Sequence, residues 1–330
     1  VERSEFLEYD LVENILLLAH KKQTLGLLSS LPLNGYADEN GIAFDRWEII
    51  NQIAKFYNIK EIKTADDIKD IDILMIVHPK KMNKDINDKI KQYAHAGGKA
   101  MIMLDSATEA MRLISARNSK LEGSDFSDLQ YFFGFEFFPQ YVVADFGNSI
   151  LVDASSDYRN SANFTNDVIQ FILKDDDMNP QSQEEKNLKE IMLSSASVIV
   201  PATDDINFVP LLRASKNSAV MLSDVVLNNT NPADILRFYQ PDTNSKIMAA
   251  RIFGKDASKP FDIIVVTDTD FLYDTFWSKT YQLPHSKYIV PILDNANFVL
   301  NSLETLSGKE YLSSLRGKSS KHRRFDKIEQ

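Results

Sequence analysis

The chain of 330 residues is 44% hydrophobic and 25% charged, which are ordinary values for a globular protein of one or two domains. Its 47 acidic and 37 basic residues give a net charge of −10, which argues against a general nucleic-acid-binding surface. It contains no cysteine, which excludes disulfides, thiolate metal sites and cysteine nucleophiles. No apolar run approaches the roughly 20 residues needed to cross a bilayer, so we expect a soluble body.

Residues 1–145 alternate short apolar strands with amphipathic helices. Strands are predicted at 24–29, 71–77 and 99–104. Between them, apolar side chains recur at helical spacing over 47–57 and 84–96, and Gly97 and Gly98 signal the end of the second helix. This alternation predicts an α/β fold built from βαβ units around a parallel sheet.

From residue 146 to 257 the pattern changes to short β-like pieces between connections rich in Asn, Asp and Ser. We interpret 146–257 as a β-rich, loop-heavy insertion. An apolar strand returns at 261–267 and is expected to rejoin the first sheet, followed by helices near 270–281 and 294–307. Residues 258–308 would thus complete the core begun by 1–145. Residues 309–330 are a basic tail, expected either to be solvated or to contact phosphates or lipid headgroups.

Two aspartates, Asp268 and Asp270, directly follow the late strand. The spacing is similar to the Asp-x-Asp of haloacid-dehalogenase-type phosphatases, in which the first Asp attacks phosphorus and the second handles a proton beside Mg²⁺. Against this interpretation, little chain remains for the rest of that machinery, and Leu272 stands where Thr or Val is expected. The alternative is structural, because Asp is a common cap before a helix.

His78 and Asp105 each follow another predicted strand, and the carboxyl ends of parallel strands are where α/β proteins place their ligands. We therefore predict one candidate binding cleft formed by His78, Asp105, Asp268 and Asp270. Ser106 lacks the flanking glycines of a nucleophile elbow, so we expect a structural turn there. No histidine or carboxylate spacing typical of metal ligands occurs, and the glycines are too scattered for a phosphate loop. We predict neither a metal nor a cofactor.

An aromatic run at 131–138 contains five phenylalanines. Core packing is the simpler interpretation, and an exposed surface for a partner or a sugar is the alternative.

Several segments together resemble one protein family. The sequence reads VVTDTDFLYDTFW at 265–277 and DNANFVLNSLETLSG at 294–308. In the first half, GLLSSLP at 26–32, DILMIVHP at 72–79 and GGK at 97–99 follow in family order. These segments resemble the extracytoplasmic region of GldG-type proteins, auxiliary subunits of ABC transport systems linked in some bacteria to gliding motility. Ser30 and Ser106 depart from the Gly and Pro that the family tends to have there.

The resemblance implies a domain on the periplasmic face of the bacterial inner membrane, anchored by helices outside these residues. The start at Val1 rather than at a methionine agrees with a piece of a longer protein. The resemblance also implies an α/β core similar to the flavodoxin-like class I glutamine amidotransferases, with the ABC permease and ATPase of the same system as partners. It offers no catalytic residue to carry over.

We therefore expect a non-catalytic domain that binds a partner or cargo and couples it to the permease. Two alternatives stay open. The first is a Mg²⁺-dependent phosphatase or other hydrolase that uses Asp268 and Asp270. The second is a sugar- or ligand-binding domain.

Overall fold

The computed structural model describes residues 21–37, 41, 43–114, 122–155, 162–179, 181–283 and 286–308. Within these residues the strands are β1 Gln23–Ser29, β2 Tyr36–Ala37, β3 Ala43–Phe44, β4 Tyr57–Glu61, β5 Ile73–Val77, β6 Lys99–Met103, β7 Phe135–Phe137, β8 Tyr141–Asp145, β9 Ser149–Asp153, β10 Phe164–Leu173, β11 Ile191–Ser194, β12 Ile199–Pro201, β13 Ile206–Arg213, β14 Ser218–Leu222, β15 Ile247–Gly254, β16 Asp262–Val266, β17 Ser278–Leu283 and β18 Ser286–Pro291. The α-helices are Glu48–Phe56, Lys84–His95, Glu109–Ile114, Ser127–Gln130, Ser223–Asn228, Pro232–Leu236, Asp274–Trp277 and Asn295–Ser307.

A seven-stranded sheet with the order β13-β15-β16-β6-β5-β1-β4 forms the centre of the fold. The strands from β16 to β4 run parallel, whereas β15 and β13 extend the sheet antiparallel at one side. The predicted α/β fold with a parallel sheet is therefore confirmed. None of the described helices is both long enough and apolar enough to span a bilayer.

The late strand β16 pairs in parallel with β6, from Asp262 opposite Lys99 to Val266 opposite Met103. The late strand thus belongs to the first sheet, as the apolar pattern at 261–267 predicts. Two strands of the predicted insertion, β13 and β15, also belong to this sheet. The other strands of that segment lie in smaller sheets, β11-β10-β9, β12-β7 and β14-β8.

Both faces of the sheet are buried, because alternate side chains of its inner strand β5 lie in two different apolar clusters. Ile73, Met75 and Val77 pack on the side covered by helix Asn295–Ser307. Leu74 and Ile76 pack on the side covered by helix Lys84–His95. Continuous apolar runs of this kind are what a sheet covered on both faces requires.

Local signals explain where helix Lys84–His95 begins and ends. The side chain of Asn83 accepts a hydrogen bond from the N–H of Ile86 at 2.9 Å, so one unpaired donor of the first turn is satisfied. At the other end Gly97 has a φ of +84°, a left-handed conformation that glycine adopts without steric cost. The prediction of a helix over 84–96 is confirmed to within one residue.

The segment 270–281 differs from its prediction as one helix. It forms a 3₁₀ turn at Asp270–Leu272, the short helix Asp274–Trp277, and then the start of β17. The backbone N–H and the hydroxyl of Ser278 both donate to the carbonyl of Asp274, and the extended backbone of Ser278, with a φ of −138°, ends the helix there. The pairing of β17 with β18 then takes over the backbone.

The aromatic run is part of the core, as its simpler interpretation predicts. Phe133, Phe135 and Phe137 are buried, and the rings of Phe133 and Phe261 meet edge to face at 5.2 Å. Tyr131 is the exposed member of the run. The alternative, an exposed aromatic surface, therefore does not hold for these three phenylalanines.

Candidate functional site: a buried carboxylate cluster at the strand ends

Three adjacent parallel strands bring the predicted cleft residues to one edge of the sheet. His78 follows β5, Asp105 follows β6, and Asp268 and Asp270 follow β16. Carboxylate oxygens of the three aspartates lie within 4.8 Å of one another, and the three side chains have no exposed surface. The structure thus brings the four predicted residues to one place, where they are buried and do not line an open cleft.

Asp105 joins the loop after β6 to the loop after β16. Its Oδ2 accepts hydrogen bonds from the N–H and the hydroxyl of Thr269, at 2.8 and 2.6 Å. Its Oδ1 accepts from the N–H of Ala107 at 2.8 Å, which closes a tight turn. Both oxygens are therefore used, one locally and one across the sheet edge.

Asp268 joins the loop after β16 to β11, a strand of the segment predicted as an insertion. Its Oδ2 accepts from the N–H of Ser194 at 2.6 Å. Its Oδ1 accepts from the N–H of Phe271 at 3.0 Å, within the loop itself. The carboxylate thus satisfies an outward N–H of β11, which is one of the two outer strands of its sheet.

Asp270 binds the beginning of helix Glu109–Ile114. Its Oδ2 accepts from the N–H of Glu109 and its Oδ1 from the N–H of Ala110, each at 2.7 Å. These donors belong to the first turn, where no carbonyl within the helix is available. Asp270 caps a helix, as the structural interpretation predicts, but one that lies about 160 residues earlier rather than the one that follows it.

Each of the six carboxylate oxygens of the cluster therefore accepts a backbone N–H. Carboxylates are also the ligands that Mg²⁺ and Ca²⁺ prefer, so the cluster has the donor chemistry of a cation site. The hydrogen bonds give the same oxygens another role, which is to tie together loops from distant parts of the chain.

Burial raises the pKa values of all three aspartates. The pKa of Asp105 rises to about 6, although the hydrogen bonds from Thr269 oppose the shift. Burial first, and then the nearby charge of Asp105, hold the pKa values of Asp268 and Asp270 well above the usual range for aspartate. The neighbouring Glu109, paired with Arg112 at 3.3 Å, has its pKa raised by burial to about 7. The cluster therefore holds protons more tightly than exposed carboxylates do.

His78 is buried beside the cluster and is bonded to hydroxyl groups. Its Nδ1 lies 2.9 Å from the hydroxyl of Ser124, and the same hydroxyl oxygen accepts the N–H of Asp105 at 2.9 Å. Burial, followed by the positive charge of Lys80, lowers the pKa of His78 to about 3, so the ring is neutral. Its φ of +48° is uncommon for a residue with a side chain.

The amino-acid sequence does not reveal the hydrogen-bond partners of the cluster. Among the partners are the backbone N–H groups of Glu109, Ala110 and Ser194. Every residue except proline has such a group, so no side-chain motif identifies these donors. Ser106 lies in a turn, which the bond from the N–H of Ala107 to Asp105 closes, and its buried hydroxyl donates to the carbonyl of Tyr141 at 2.8 Å.

Comparisons with solved structures give low similarity. The mmIFT52 N-terminal domain aligns with a TM-score of 0.45 and 10% identity, covering 85% of this chain and 96% of its own. A putative ThuA-like protein from Bacteroides uniformis aligns with a TM-score of 0.41 and 9% identity, covering 87% of this chain and 93% of its own. A cytoplasmic protein from Salmonella typhimurium aligns with a TM-score of 0.36 and 8% identity, covering 86% of this chain and 98% of its own. These scores carry no functional argument, and the amidotransferase-like core stays a prediction.

No curated protein matches the chain. The sequence profile of the family ABC_transp_aux, described as an ABC-type uncharacterized transport system, matches residues 22–302. This match covers both the parallel sheet and the strand-end cluster. The chain therefore belongs to the ABC_transp_aux family, the auxiliary components of an ABC-type transport system.

Proposed function

We propose that this chain is a non-catalytic extracytoplasmic domain of an ABC transporter auxiliary subunit, which binds a partner or cargo and couples it to the permease. Family membership over residues 22–302 supports the transport assignment. The observation that supports a non-catalytic role is the state of the carboxylate cluster, where each oxygen accepts a backbone N–H.

A hydrolase of the Asp-x-Asp type needs one carboxylate oxygen free to attack and open to its substrate. Asp268 has no exposed surface, and both of its oxygens are bonded to N–H groups, of Ser194 and Phe271. Releasing either oxygen would leave a buried donor unpaired, at a cost of about 1–3 kcal/mol. These contacts favour a structural role for Asp268.

The location and subtype are also part of the proposal. The resemblance of 265–277 and 294–308 to GldG-type proteins favours a position on the periplasmic face of the inner membrane, with anchoring helices outside these residues. The absence of cysteine provides a direct test, because a single cysteine at exposed Val220 would be the only thiol of these 330 residues. In intact cells, a membrane-impermeant maleimide should label Val220→Cys in the full-length protein. Labelling only after cell lysis would contradict the proposed location.

Coupling is tested by reconstitution. The permease and ATPase of the same system are placed in proteoliposomes with and without the full-length auxiliary subunit, and the rate of ATP hydrolysis is measured. We expect the subunit to bind the permease and to change the rate or its response to cargo. Neither binding nor any change in rate would contradict a coupling role.

The convergence of three carboxylates keeps one alternative specific enough to test, a Mg²⁺-dependent phosphatase. Wild-type protein and Asp268→Asn are assayed with Mg²⁺ on phosphomonoesters and other esters. The proposal expects no turnover from either protein. Turnover that is lost in a folded Asp268→Asn variant would establish the hydrolase instead.

A further inference from the structure

The strand β9 lies at the outer edge of the three-stranded sheet β11-β10-β9. It pairs with β10, and no other strand among the described residues pairs with its second side. An outer strand presents unpaired N–H and C=O groups to any further strand that approaches.

The register shows which backbone groups point outward. The N–H of Ala154 donates to the carbonyl of Asn163 at 2.9 Å, so this pair is hydrogen-bonded. Bonded and non-bonded pairs alternate along an antiparallel ladder, which directs Ile150 and Val152 towards β10 as well. The backbone groups of Ser149, Leu151 and Asp153 therefore face away from β10.

The hairpin formed by β9 and β10 also exposes two large apolar side chains on one face. Leu151 is 65% exposed and Phe164 is 64% exposed. Leu151 lies opposite Asn166, and Phe164 lies opposite Asp153, so Leu151 and Phe164 are diagonal neighbours on the same face. Exposed apolar groups beside an open strand edge are typical of an interaction surface.

The two outer strands of the main sheet differ from β9. Strand β4 ends in the charged residues Lys60 and Glu61, which discourage pairing. Strand β13 contains Pro210, and its register with β15 shifts after that residue. Its outer side is also partly occupied, because Met178 forms an isolated β-bridge with Leu212. Strand β9 has no proline and no lysine, and Asp153 is its single charge.

We propose that β9 pairs antiparallel with β9 of a second copy of this chain, around a two-fold axis at Leu151. This register pairs all five residues of the strand. Leu151 lies opposite its own copy, Ser149 lies opposite Asp153, and Ile150 lies opposite Val152. The outward N–H and C=O groups of 149, 151 and 153 then form the bonded pairs of the new ladder.

The sequence of β9 favours a second copy over an unrelated strand. The register keeps the two Asp153 carboxylates apart and sets each one opposite a serine hydroxyl, whereas like charges placed opposite each other would destabilise a sheet. Branched side chains meet at the 150/152 pairs. On the exposed face, Phe164 and Leu151 of both copies form one continuous apolar stripe. The two-fold axis closes the assembly as a dimer rather than a fibre.

The lack of cysteine makes the test direct. Leu151→Cys introduces a single thiol, and residues opposite each other in a bonded antiparallel pair have Cα atoms about 5.5 Å apart, within disulfide range. Under mild oxidation we expect a disulfide-linked dimer from Leu151→Cys. The control Val220→Cys, at an exposed apolar residue of β14, should stay monomeric. Equal crosslinking of both variants would overturn the proposal.

Sedimentation of the unmodified chain gives the second readout. We expect a mass twice the 37.5 kDa of one chain, with Leu151→Lys shifting it to the monomer and Val220→Lys leaving it unchanged. Since each copy carries a net charge of −10, added salt should strengthen the dimer. A wild-type chain that remains monomeric at every concentration would overturn the proposal, and binding of an extended partner strand to that monomer would identify the other occupant.

Discussion

The carboxylate of Asp270 accepts the backbone N–H of Glu109 at 2.7 Å, although 161 positions of sequence separate the two residues. This contact joins the loop after the last parallel strand to the helix that follows β6. Together with the hydrogen bonds of Asp105 and Asp268, this contact ties three distant parts of the chain, near residues 105–110, 194 and 268–270, into one unit at the carboxyl ends of the strands.

Replacing Asp270 should destabilise the protein. Asp270→Ala leaves the buried N–H groups of Glu109 and Ala110 without an acceptor, and each such loss costs about 1–3 kcal/mol. Relief of repulsion from Asp105 and Asp268 offsets part of this cost, so we expect a net loss of about 2 kcal/mol in urea unfolding. The matched control Asp66→Ala, at an exposed aspartate, should change stability by less than about 0.5 kcal/mol. Equal stability of both variants would contradict the structural role.

Buried Glu185 should make stability fall as pH rises. Burial raises its pKa to about 8, while the hydrogen bonds from Ser182 and Asn179 oppose the shift. Because the folded pKa exceeds the unfolded one, the folded state binds the proton more tightly. The stability from this group is complete below the unfolded pKa of about 4.5 and is lost as pH rises through the folded pKa.

The variant Glu185→Gln removes this titration. Between about pH 5.5 and 7.5, the free energy of unfolding of the wild type should fall more steeply than that of Glu185→Gln, by roughly 1 kcal/mol per pH unit. The exposed Glu190→Gln is the control and should keep the wild-type slope. Identical slopes for all three proteins would show that Glu185 is ionised in the folded state.

His78 should remain neutral over the physiological pH range, because burial and Lys80 lower its pKa to about 3. Its contribution has the opposite sign to that of Glu185. The stability it provides is present above the unfolded pKa of about 6.5 and declines as pH falls towards the folded value. Nitrogen-detected NMR of the imidazole ring should show no protonation above about pH 4.5, whereas a midpoint near 6.5 in the folded protein would contradict the buried environment.

Gly98 should not tolerate a side chain. A Cβ there would lie 2.4 Å from a ring carbon of Tyr93 and 2.5 Å from the Tyr93 carbonyl oxygen. Gly98→Ala should therefore cost about 2 kcal/mol and lower the melting temperature. Gly97→Ala is the adjacent control, with a φ of +84° but nothing closer than 3.9 Å, and should cost only about 1 kcal/mol of backbone strain. A larger loss of stability for Gly97→Ala than for Gly98→Ala would contradict the close contact between Gly98 and Tyr93.

The sequence predicts the sheet well, because parallel strands buried on both faces are continuous apolar runs. The patterns at 71–77, 99–104 and 261–267 therefore identify β5, β6 and β16, and their parallel pairing places Asp105 and Asp268 together. The chemistry of the cluster could not be predicted in the same way. The donors that occupy it are backbone N–H groups, such as that of Ser194, and only the tertiary structure brings them there.

The end of helix Asp274–Trp277 and the exposed face of β9 could not be predicted from sequence patterns either. The region 270–281 has enough apolar residues for a helix, but the backbone is extended at Tyr273 and again at Ser278, where the chain enters β17. The exposed face of β9 becomes visible only once its pairing with β10 is known, because Leu151 alternates with Ile150 and Val152 in an apolar stretch without a clear polar side.

The most direct test of the proposed function is crosslinking of the full-length protein in its native host, followed by purification and mass spectrometry. A tagged membrane protein of similar abundance is the control for non-specific capture. We predict crosslinked peptides that join this domain to an ABC permease and recovery of the ATPase of the same system. Recovery of neither from a preparation in which the protein is intact and abundant would contradict the auxiliary-subunit assignment.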